Sequence, residues 1–211
     1  MGSSADLGLL RGYTDLTVGG GKASNHPVQS VTWWDVIKWC NARSEKDGLE
    51  PVYTVNGAVM RTGTTAPTAN WAAKGHRLPT EAEWEKAARG GLNGKRFPWG
   101  DTITHSQANY QDNPTYGVGS QPYSSPVGSL AANGYGLYDM VGNVSEWCWE
   151  WYGVYASGPQ SDPKGATTGS DRVLRGGSWG NSAVNGRVAL RVRLDPSNGN
   201  ISLGFRPARG R

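Results

Sequence analysis

The stretch RVLRGGSWGNSAVNGRVALRVRLDPSNGNISLGFRPARGR, residues 172–211, decides how the rest of the chain is interpreted. It contains two turn-like motifs, RGGSW at 175–179 and LGFR at 203–206. The run between them consists of small, polar, aliphatic and basic residues and contains no catalytic constellation. We predict that this run is a displayed binding surface and that the preceding residues build its scaffold.

The composition indicates one loop-rich domain over residues 1–211. The chain has 31 Gly, 10 Trp and 9 Tyr among its 211 residues, and glycine frees many backbone positions from the steric cost of positive φ. Trp and Tyr then supply the burial that regular elements do not. A domain of this length buries roughly 70% of its unfolded surface, so its core needs no disulfide.

Charge and cysteine content argue against several classes of protein. The net charge of +4 is mild and no dense Lys/Arg tract is present, so no nucleic-acid partner is expected. Cys40 and Cys148 each lie among aromatic residues, which favours two buried free thiols over a disulfide. No apolar run is long enough to span a bilayer, and no secretory apolar region follows Met1. Residues 1–4, MGSS, resemble a vector remnant, so we allow for a native leader that was removed.

Two capped helices are predicted. In each, a Thr precedes an acidic residue by three positions, the pattern of a capping box, and a Gly follows the last apolar position. The cap, box partner and stop residues are Thr32, Asp35 and Gly48 for the first helix and Thr80, Glu83 and Gly90 for the second. The first helix should therefore cover about 33–46.

Short strands and a long irregular region complete the local prediction. Asn56 and Gly57 join two strand-like pieces, 52–55 and 58–61, which is a strong hairpin signal. From 97 to 151 helical periodicity disappears and turn residues dominate. Irregular segments of that length are uncommon unless they are functional or firmly clamped.

Three tryptophans at period two, Trp147, Trp149 and Trp151, predict a strand with one aromatic face. Such a row of rings would also suit carbohydrate stacking. We prefer a role in the core, because large aromatic side chains dominate the burial of domains that are rich in loops.

Several ordered motifs make the chain recognisable: RLPTEAEWEKAARGG (77–91), FPWGD (97–101), NGYGLYDMVGNVSEW (133–147), LRGGSW (174–179) and LGFR (203–206). Together they resemble the formylglycine-generating-enzyme-like domain, also called the sulfatase-modifying factor domain. The resemblance implies an α+β fold of the C-type-lectin kind, with two main helices, short antiparallel strands and extensive irregular loops. It also implies a strand region before the first helix that is largely absent here.

Within that family the C-terminal run resembles the variable proteins that retroelements diversify by adenine-directed mutagenesis. In this resemblance residues 175–206 form a variable region in which a fixed frame alternates with replaceable positions. The frame consists of residues 175–179 and 203–206 with Ala183, Arg187, Val188, Ala189, Arg191 and Pro196. The predicted ligand-binding residues are Trp179, Gly180, Asn181, Ser182, Val184, Asn185, Leu190, Val192, Arg193, Leu194, Asp195, Asn198, Asn200, Ile201 and Ser202. Asn at several of these positions suits such an origin.

The resemblance to the oxidases of the family stops at one pair of residues. Those enzymes oxidise a substrate cysteine with a copper-binding cysteine pair shortly after the RGGSW-like turn. Soft thiolates suit Cu(I), whereas here Asn181 and Gly186 occupy the matching positions. We therefore expect no copper and no enzyme activity. The three histidines, His26, His76 and His105, show no metal-ligand spacing and are expected to be structural or exposed.

Two interpretations of residues 188–194 stay open. Periodicity alone predicts a half-buried strand, because Val188, Leu190, Val192 and Leu194 alternate with basic residues. The family resemblance instead exposes Leu190, Val192 and Leu194 on a ligand-facing patch with a polar rim, and we favour it. Trp179 is then a flat anchor at the edge of the patch or, as we favour, its buried floor.

The segment 141–146 matches the place where the family binds calcium. The predicted calcium ligands are Val141, Gly142, Val144 and Glu146, with Asn143 in support. Carbonyl and carboxylate oxygens are the ligands that Ca²⁺ prefers. The alternative is that Asn143 and Glu146 clamp the loop by hydrogen bonds alone. A second family site would involve Asn109 and Tyr110, but no matching acidic partner follows.

Taken together, the sequence predicts a non-catalytic protein that recognises a ligand through a varied C-terminal surface. The expected partner is a protein on another cell or a virus, the expected cofactor is structural calcium, and cytoplasmic synthesis with surface display is the expected location. Two rivals are a formylglycine-generating-type oxidase and a structural or regulatory module of the same fold. The oligomeric state does not follow from the chain.

Overall fold

The two helices begin and end at the residues that their capping signals indicate. In the computed structural model, which describes residues 12–210, helix α1 is Trp33–Lys46 and helix α2 is Glu81–Arg89. Both carry a complete capping box, with Thr32 and Thr80 as N-caps. Gly90 ends α2 with φ of 56°, in the left-handed region that favours glycine. The predicted vector remnant lies outside the described residues.

The hairpin is confirmed, with strands shorter than expected. Strand β1 (Tyr53–Val55) pairs antiparallel with β2 (Ala58–Val59), and Asn56 and Gly57 between them both have positive φ, at 51° and 78°. That pair of dihedrals belongs to the tight turn for which Asn-Gly is preferred. Strand β3 (Thr68–Ala69) pairs with the other edge of β1.

A four-stranded sheet positions the C-terminal run. Its order is β7-β6-β5-β8, built from β5 (Ser145–Trp151), β6 (Arg172–Arg175), β7 (Val192–Leu194) and β8 (Leu203–Gly204). Strands β7 and β8 are therefore the two edge strands of the sheet. Strand β4 (His76–Arg77) pairs with β9 (Ala208–Arg209) in a separate small sheet.

The strand that periodicity predicts over 188–194 is only partly formed. A short 3-10 helix, Ala183–Gly186, precedes it, and regular pairing begins at Val192. Upstream of Val192 the alternating pattern does not reflect a strand. Val188 is buried in a turn-rich segment, and its amide donates to the carbonyl of Arg96 at 2.9 Å.

The long irregular region is clamped by asparagine side chains. Residues 90–144 contain no helix or strand. Asn133 donates to the carbonyl of Ala87 at 2.7 Å, and Asn143 both donates to and accepts from the backbone of Ser125. These bonds replace the secondary-structure ladders that would otherwise satisfy buried backbone groups.

Two apolar clusters lie on opposite faces of the sheet. The larger packs α1 against Trp147 and Leu174, and the smaller packs α2 against Val173 and Cys148. Trp147 is fully buried, and the ring of Trp149 stacks on Tyr53 with centroids 5.1 Å apart, so these rings serve the core. The fold is α+β of the C-type-lectin kind, as the motifs imply.

Candidate ligand-binding surface

The predicted ligand-binding residues fall into three exposure groups. Among the aliphatic ones, Val184, Val192 and Ile201 are 45%, 47% and 39% exposed. The exposed group is Gly180, Ser182, Val184, Val192, Arg193, Asp195, Asn198, Asn200 and Ile201; the half-buried group is Asn181, Asn185, Leu190, Leu194 and Ser202; Trp179 is buried. The run thus exposes aliphatic and polar side chains near both edges of the sheet, with Val192 on β7 and Ile201 just before β8.

The exposure expected for the leucines is wrong in part. Val192 faces solvent, but Leu194 packs against the larger apolar cluster and Leu190 is half-buried. Leu194 and Val192 pair with the buried Arg172 and Leu174 of β6 and therefore lie on the same face of the sheet, but of the two only Leu194 packs against the larger cluster. Leu194 therefore belongs to the support rather than to the display.

Leu190 and Val192 line a dimple together with Asn185, above Leu174 and Gly177. Its volume is about 10 Å³, which is room for one water molecule or one methyl group. A glycine is required at its rim, because Gly177 has φ of 68° and a Cβ there would lie 2.9 Å from the carbonyl oxygen of Asn185.

Arg175 ties the run to the scaffold. Its side chain is fully buried, and its guanidinium donates to the carbonyl oxygens of Leu190 at 2.6 Å and Val188 at 2.8 Å. Glu85 of α2 accepts from the same group, and Glu81 lies 3.5 Å away. Charge-assisted bonds of this kind are about twice as strong as neutral ones.

Arg191, which lies between Leu190 and Val192, is the second residue that ties the run to the scaffold. It forms a bidentate pair with Glu81 at 2.6 and 2.8 Å and donates to the carbonyl of Gly153 at 2.9 Å. The rings of Tyr152 and Tyr155 lie 4.6 and 4.0 Å from its guanidinium carbon. Arg191 and Arg175 therefore both fix the run to the start of α2.

Trp179 is the floor of the surface. It is 9% exposed, donates through its indole nitrogen to the carbonyl of Ile201 at 3.2 Å, and meets Tyr123 edge-to-face at 5.2 Å between centroids. Its amide also bonds the carbonyl of Asn143 at 2.9 Å. One residue thus connects three segments beneath the displayed residues, two through its side chain and one through its amide.

The two positions that match the family's copper-binding cysteines are structural here. The side-chain oxygen of Asn181 accepts from the amide and hydroxyl of Ser178, both at 3.0 Å, and its carbonyl accepts from Gln111. Gly186 is buried, and a Cβ there would lie 2.3 Å from Val141. No side chain fits at 186 without displacing the loop at 141.

The predicted calcium segment is held by protein contacts. Glu146 is 5% exposed, and its carboxylate accepts from Arg206 and from Trp84, both at 2.6 Å. Arg206 also donates to the carbonyls of Tyr138 and Asp139 at 3.1 Å. A guanidinium therefore occupies the oxygen-rich position beside Glu146, and a divalent cation added there would meet an uncompensated like charge.

The other predicted ligands of this segment are also committed to the clamp. Val141, Gly142 and Val144 are buried, and the amide of Gly142 bonds the carbonyl of Gly176 at 3.0 Å. Asn143 uses its side chain on Ser125. Residues 12–210 contain no group of three or more His, Cys, Asp or Glu arranged to hold a metal ion. These contacts suit the hydrogen-bonded alternative, and calcium binding at this segment stays a prediction.

The second predicted calcium pair is only partly engaged. The side-chain nitrogen of Asn109 donates to the carbonyl of Tyr123 at 2.8 Å and its main-chain carbonyl accepts from Asn143 at 2.7 Å, whereas its side-chain oxygen is buried with no hydrogen-bond partner among residues 12–210. The ring of Tyr110 stacks on His105 with centroids 4.0 Å apart. His26 and His76 bond Ser124 and Asp47, as expected of structural histidines.

Sequence reasoning missed the two carboxylates on which the surface depends, Glu81 and Glu85. Glu81 lies in the first turn of α2, where the helix dipole is an ordinary explanation for an acidic residue, and Glu85 lies one turn further on the same helix, so nothing singled them out. Glu81 and its partner Arg191 are 110 positions apart, and one sequence contains no signal for such a pairing.

The fold and the motifs agree with a comparison against family models. The sulfatase-modifying factor enzyme 1-like domain matches residues 12–211. The chain belongs to this family. Within residues 12–210, no helix is long and apolar enough to cross a membrane.

Relatives of this sulfatase-modifying-factor-like chain carry different names. A solved structure of Treponema denticola variable protein 1 is similar at 36% identity, with a TM-score of 0.78, and the match covers 91% of this chain and 74% of that one. The formylglycine-generating enzyme of Streptomyces coelicolor is 38% identical over 223 residues, which cover 98% of this chain and 68% of the enzyme. The serine/threonine-protein kinase pkn1 of Chlamydia caviae is 44% identical over 173 residues, 80% of this chain but 26% of the kinase.

Proposed function

We propose that this protein is a non-catalytic ligand-binding protein whose C-terminal surface is diversified by a retroelement. This proposal rests on one observation: inward-facing frame residues alternate with solvent-facing residues within 175–206. Side chains of the frame, such as Arg175 and Arg191, turn inward onto α2, whereas neighbouring side chains such as Val192 and Arg193 face solvent. The likeness to a variable protein of Treponema denticola supports this proposal.

Lack of oxidase activity is part of the proposal. The family's enzymes need a thiolate pair, and Asn181 and Gly186 stand at the matching positions. Gly186 is enclosed so tightly that a cysteine side chain would collide with Val141. Cys40 and Cys148 are fully buried elsewhere, and burial raises the pKa of both thiols, so neither supplies a thiolate.

The partner that suits this surface is a protein displayed on a cell or virus. Val184, Val192 and Ile201 offer exposed aliphatic contact, while Asn198, Asn200, Asp195 and Arg193 offer hydrogen bonds and charge around them. An apolar centre with a polar rim is the anatomy of protein–protein interfaces. Calcium is not required for this mode of binding.

Two combinatorial libraries test the proposal. The first randomises Val184, Val192, Arg193, Asn198 and Ile201, and the second randomises an equal number of frame positions, Arg175, Val188, Arg191, Pro196 and Leu203. Both are displayed on phage, scored for folding by resistance to protease, and selected against immobilised lysozyme as a model protein. We expect the first library to remain largely folded and to yield binders, because exposed substitutions usually change stability by within about 0.5 kcal/mol.

The second library is the matched control, because it changes the same number of residues in the same segment. We expect most of its members to be cleaved. Equal protease resistance in both libraries, or no binder from a well-folded first library, would contradict the proposed division between frame and display.

A further inference from the structure

Glu150, the next-to-last residue of β5, is a buried carboxylate that the binding surface does not use. It is 3% exposed, and its carboxylate accepts from the amide of Glu81, the first residue of α2, at 2.7 Å. Among the ion pairs of residues 12–210, none involves this carboxylate. A charged group in such a position lacks the compensation that buried charges usually have.

Burial and two glutamates of α2 disfavour the ionised form of Glu150. From α2, Glu81 and Glu83 repel it. From β6, Arg172 attracts it electrostatically, but this guanidinium lies between the rings of Trp33 and Trp151 and donates its hydrogen bond to the carbonyl of Trp149. On its own strand the Cys148 thiol is buried and neutral. Burial first, and then repulsion by these glutamates, raises the pKa of Glu150 from 4.5 to about 7, although the hydrogen bond from Glu81 acts in the opposite direction.

Residues 154–165, which we name the strap, cover this carboxylate. Gly165 lies so close that a Cβ on it would be 2.0 Å from Cγ of Glu150. The strap is held by few contacts: Tyr155 donates to Glu81 at 3.1 Å, and the Lys164 ammonium lies 4.1 Å from the centroid of Trp71. Lys164 also interacts electrostatically with Glu83.

A groove separates the strap from α2. Its volume is about 970 Å³, and Glu150, Glu81, Arg191 and Tyr155 are among the residues that line it. Glu150 itself is 3% exposed, so its carboxylate is shielded from the solvent of this groove in the closed form. Val154 at the start of the strap is 99% exposed, so no packing of this side chain opposes an outward shift of the strap.

We propose that the strap is a pH-dependent cover, closed over protonated Glu150 and opened when Glu150 ionises. Water reaches the carboxylate only in the open form, so ionisation stabilises that form. Opening also removes Tyr155 from one face of Arg191, which stands next to Val192 of the binding surface. The proposal does not depend on any ligand and can fail or succeed independently of the proposed binding function.

Cleavage by endoproteinase Lys-C after Lys164 measures the opening. The cleavage rate of the intact protein at pH 6 and at pH 8.5 is divided by the rate for the free peptide SDPKGATT at the same pH, which removes the pH dependence of the protease. We expect the ratio to rise several-fold between these two pH values in the natural protein. A carboxyl with a pKa of about 7 when buried and 4.5 when hydrated sets an upper limit of about tenfold over this interval, because part of the linkage already acts below pH 6.

Two variants and an internal site make the result decisive. Glu150→Gln keeps the shape and cannot ionise, so its ratio should stay low at both pH values. Gly165→Ala should be cleaved readily at both, because its methyl group prevents closure; if circular dichroism shows it unfolded, the comparison of Glu150→Gln with the natural protein decides alone. Cleavage after the exposed Lys95 in the same digests should not change. An unchanged ratio in the natural protein, or an equal rise in Glu150→Gln, would overturn the proposal.

Discussion

Arg191 and Arg193 stand two positions apart in the same edge of the sheet and have opposite environments. The Arg191 side chain is 15% exposed and bound to Glu81, whereas the Arg193 side chain is 64% exposed with Asp171 at 3.7 Å. For this pair, exposure and not residue type separates the frame residue from the displayed one. This difference can be measured directly, because the two residues are chemically identical.

We predict that Arg191→Ala lowers the free energy of unfolding by about 2–4 kcal/mol, since it leaves Glu81 buried without its bidentate partner. Arg193→Ala is the matched control and should change it by within about 0.5 kcal/mol, as expected for an exposed pair. Urea denaturation followed by tryptophan fluorescence gives both values. Similar losses in the two variants would show that the side chains do not differ in role.

At the scale of elements, segment 141–146 is stabilised by hydrogen bonds and an ion pair from other parts of the fold. Arg206, which follows β8, reaches back to Glu146 and to two carbonyl oxygens upstream of the loop. The indole of Trp84 on α2 donates to the same carboxylate. A helix, a strand and a C-terminal segment are thereby joined at one buried group.

From this arrangement we predict that calcium does not change the stability of the natural protein. Thermal melting in 5 mM EDTA and in about 5 mM CaCl₂ should give the same Tm, because a ligand that binds the folded state raises Tm by mass action. The informative variant is Arg206→Ala, which removes the guanidinium beside Glu146 and should lower Tm. A calcium-dependent rise in the natural protein would restore the metal site that the sequence motif suggests.

At the scale of the molecule, the two thiols lie in different apolar clusters on opposite faces of the four-stranded sheet. Cys40 lies on α1 in the larger cluster, Cys148 packs against α2 in the smaller cluster, and both are fully buried. Burial raises the pKa of each thiol. The molecule as a whole therefore offers neither a neighbouring cysteine pair nor an exposed thiolate for redox chemistry.

We accordingly predict no conversion of cysteine to formylglycine in a substrate peptide incubated with the protein, Cu(I) and oxygen. Mass spectrometry of the peptide is the measurement, and the Streptomyces coelicolor enzyme is the positive control. Double replacement Cys40→Ser and Cys148→Ala should leave the result unchanged. Product formation by the natural protein would contradict the non-catalytic assignment.

Sequence reasoning succeeded where the signal is local. Capping boxes place both helices, and Asn56–Gly57 places the hairpin, because each depends on neighbours within a few positions. It failed for Leu194, which packs against an apolar cluster built from distant segments, and for Glu81, whose partner lies 110 positions away. Those outcomes depend on the register of distant segments, which periodicity in one chain does not encode.

The bonds that Arg175 makes with the run end on main-chain oxygens of Val188 and Leu190. Every amino acid carries such an oxygen, so this anchor is independent of which side chain occupies position 190. Its strength should be the same for all members of a diversified population, and a single scaffold stability would apply to every specificity. An engineer who grafts new recognition residues here can therefore optimise affinity and folding as separate variables.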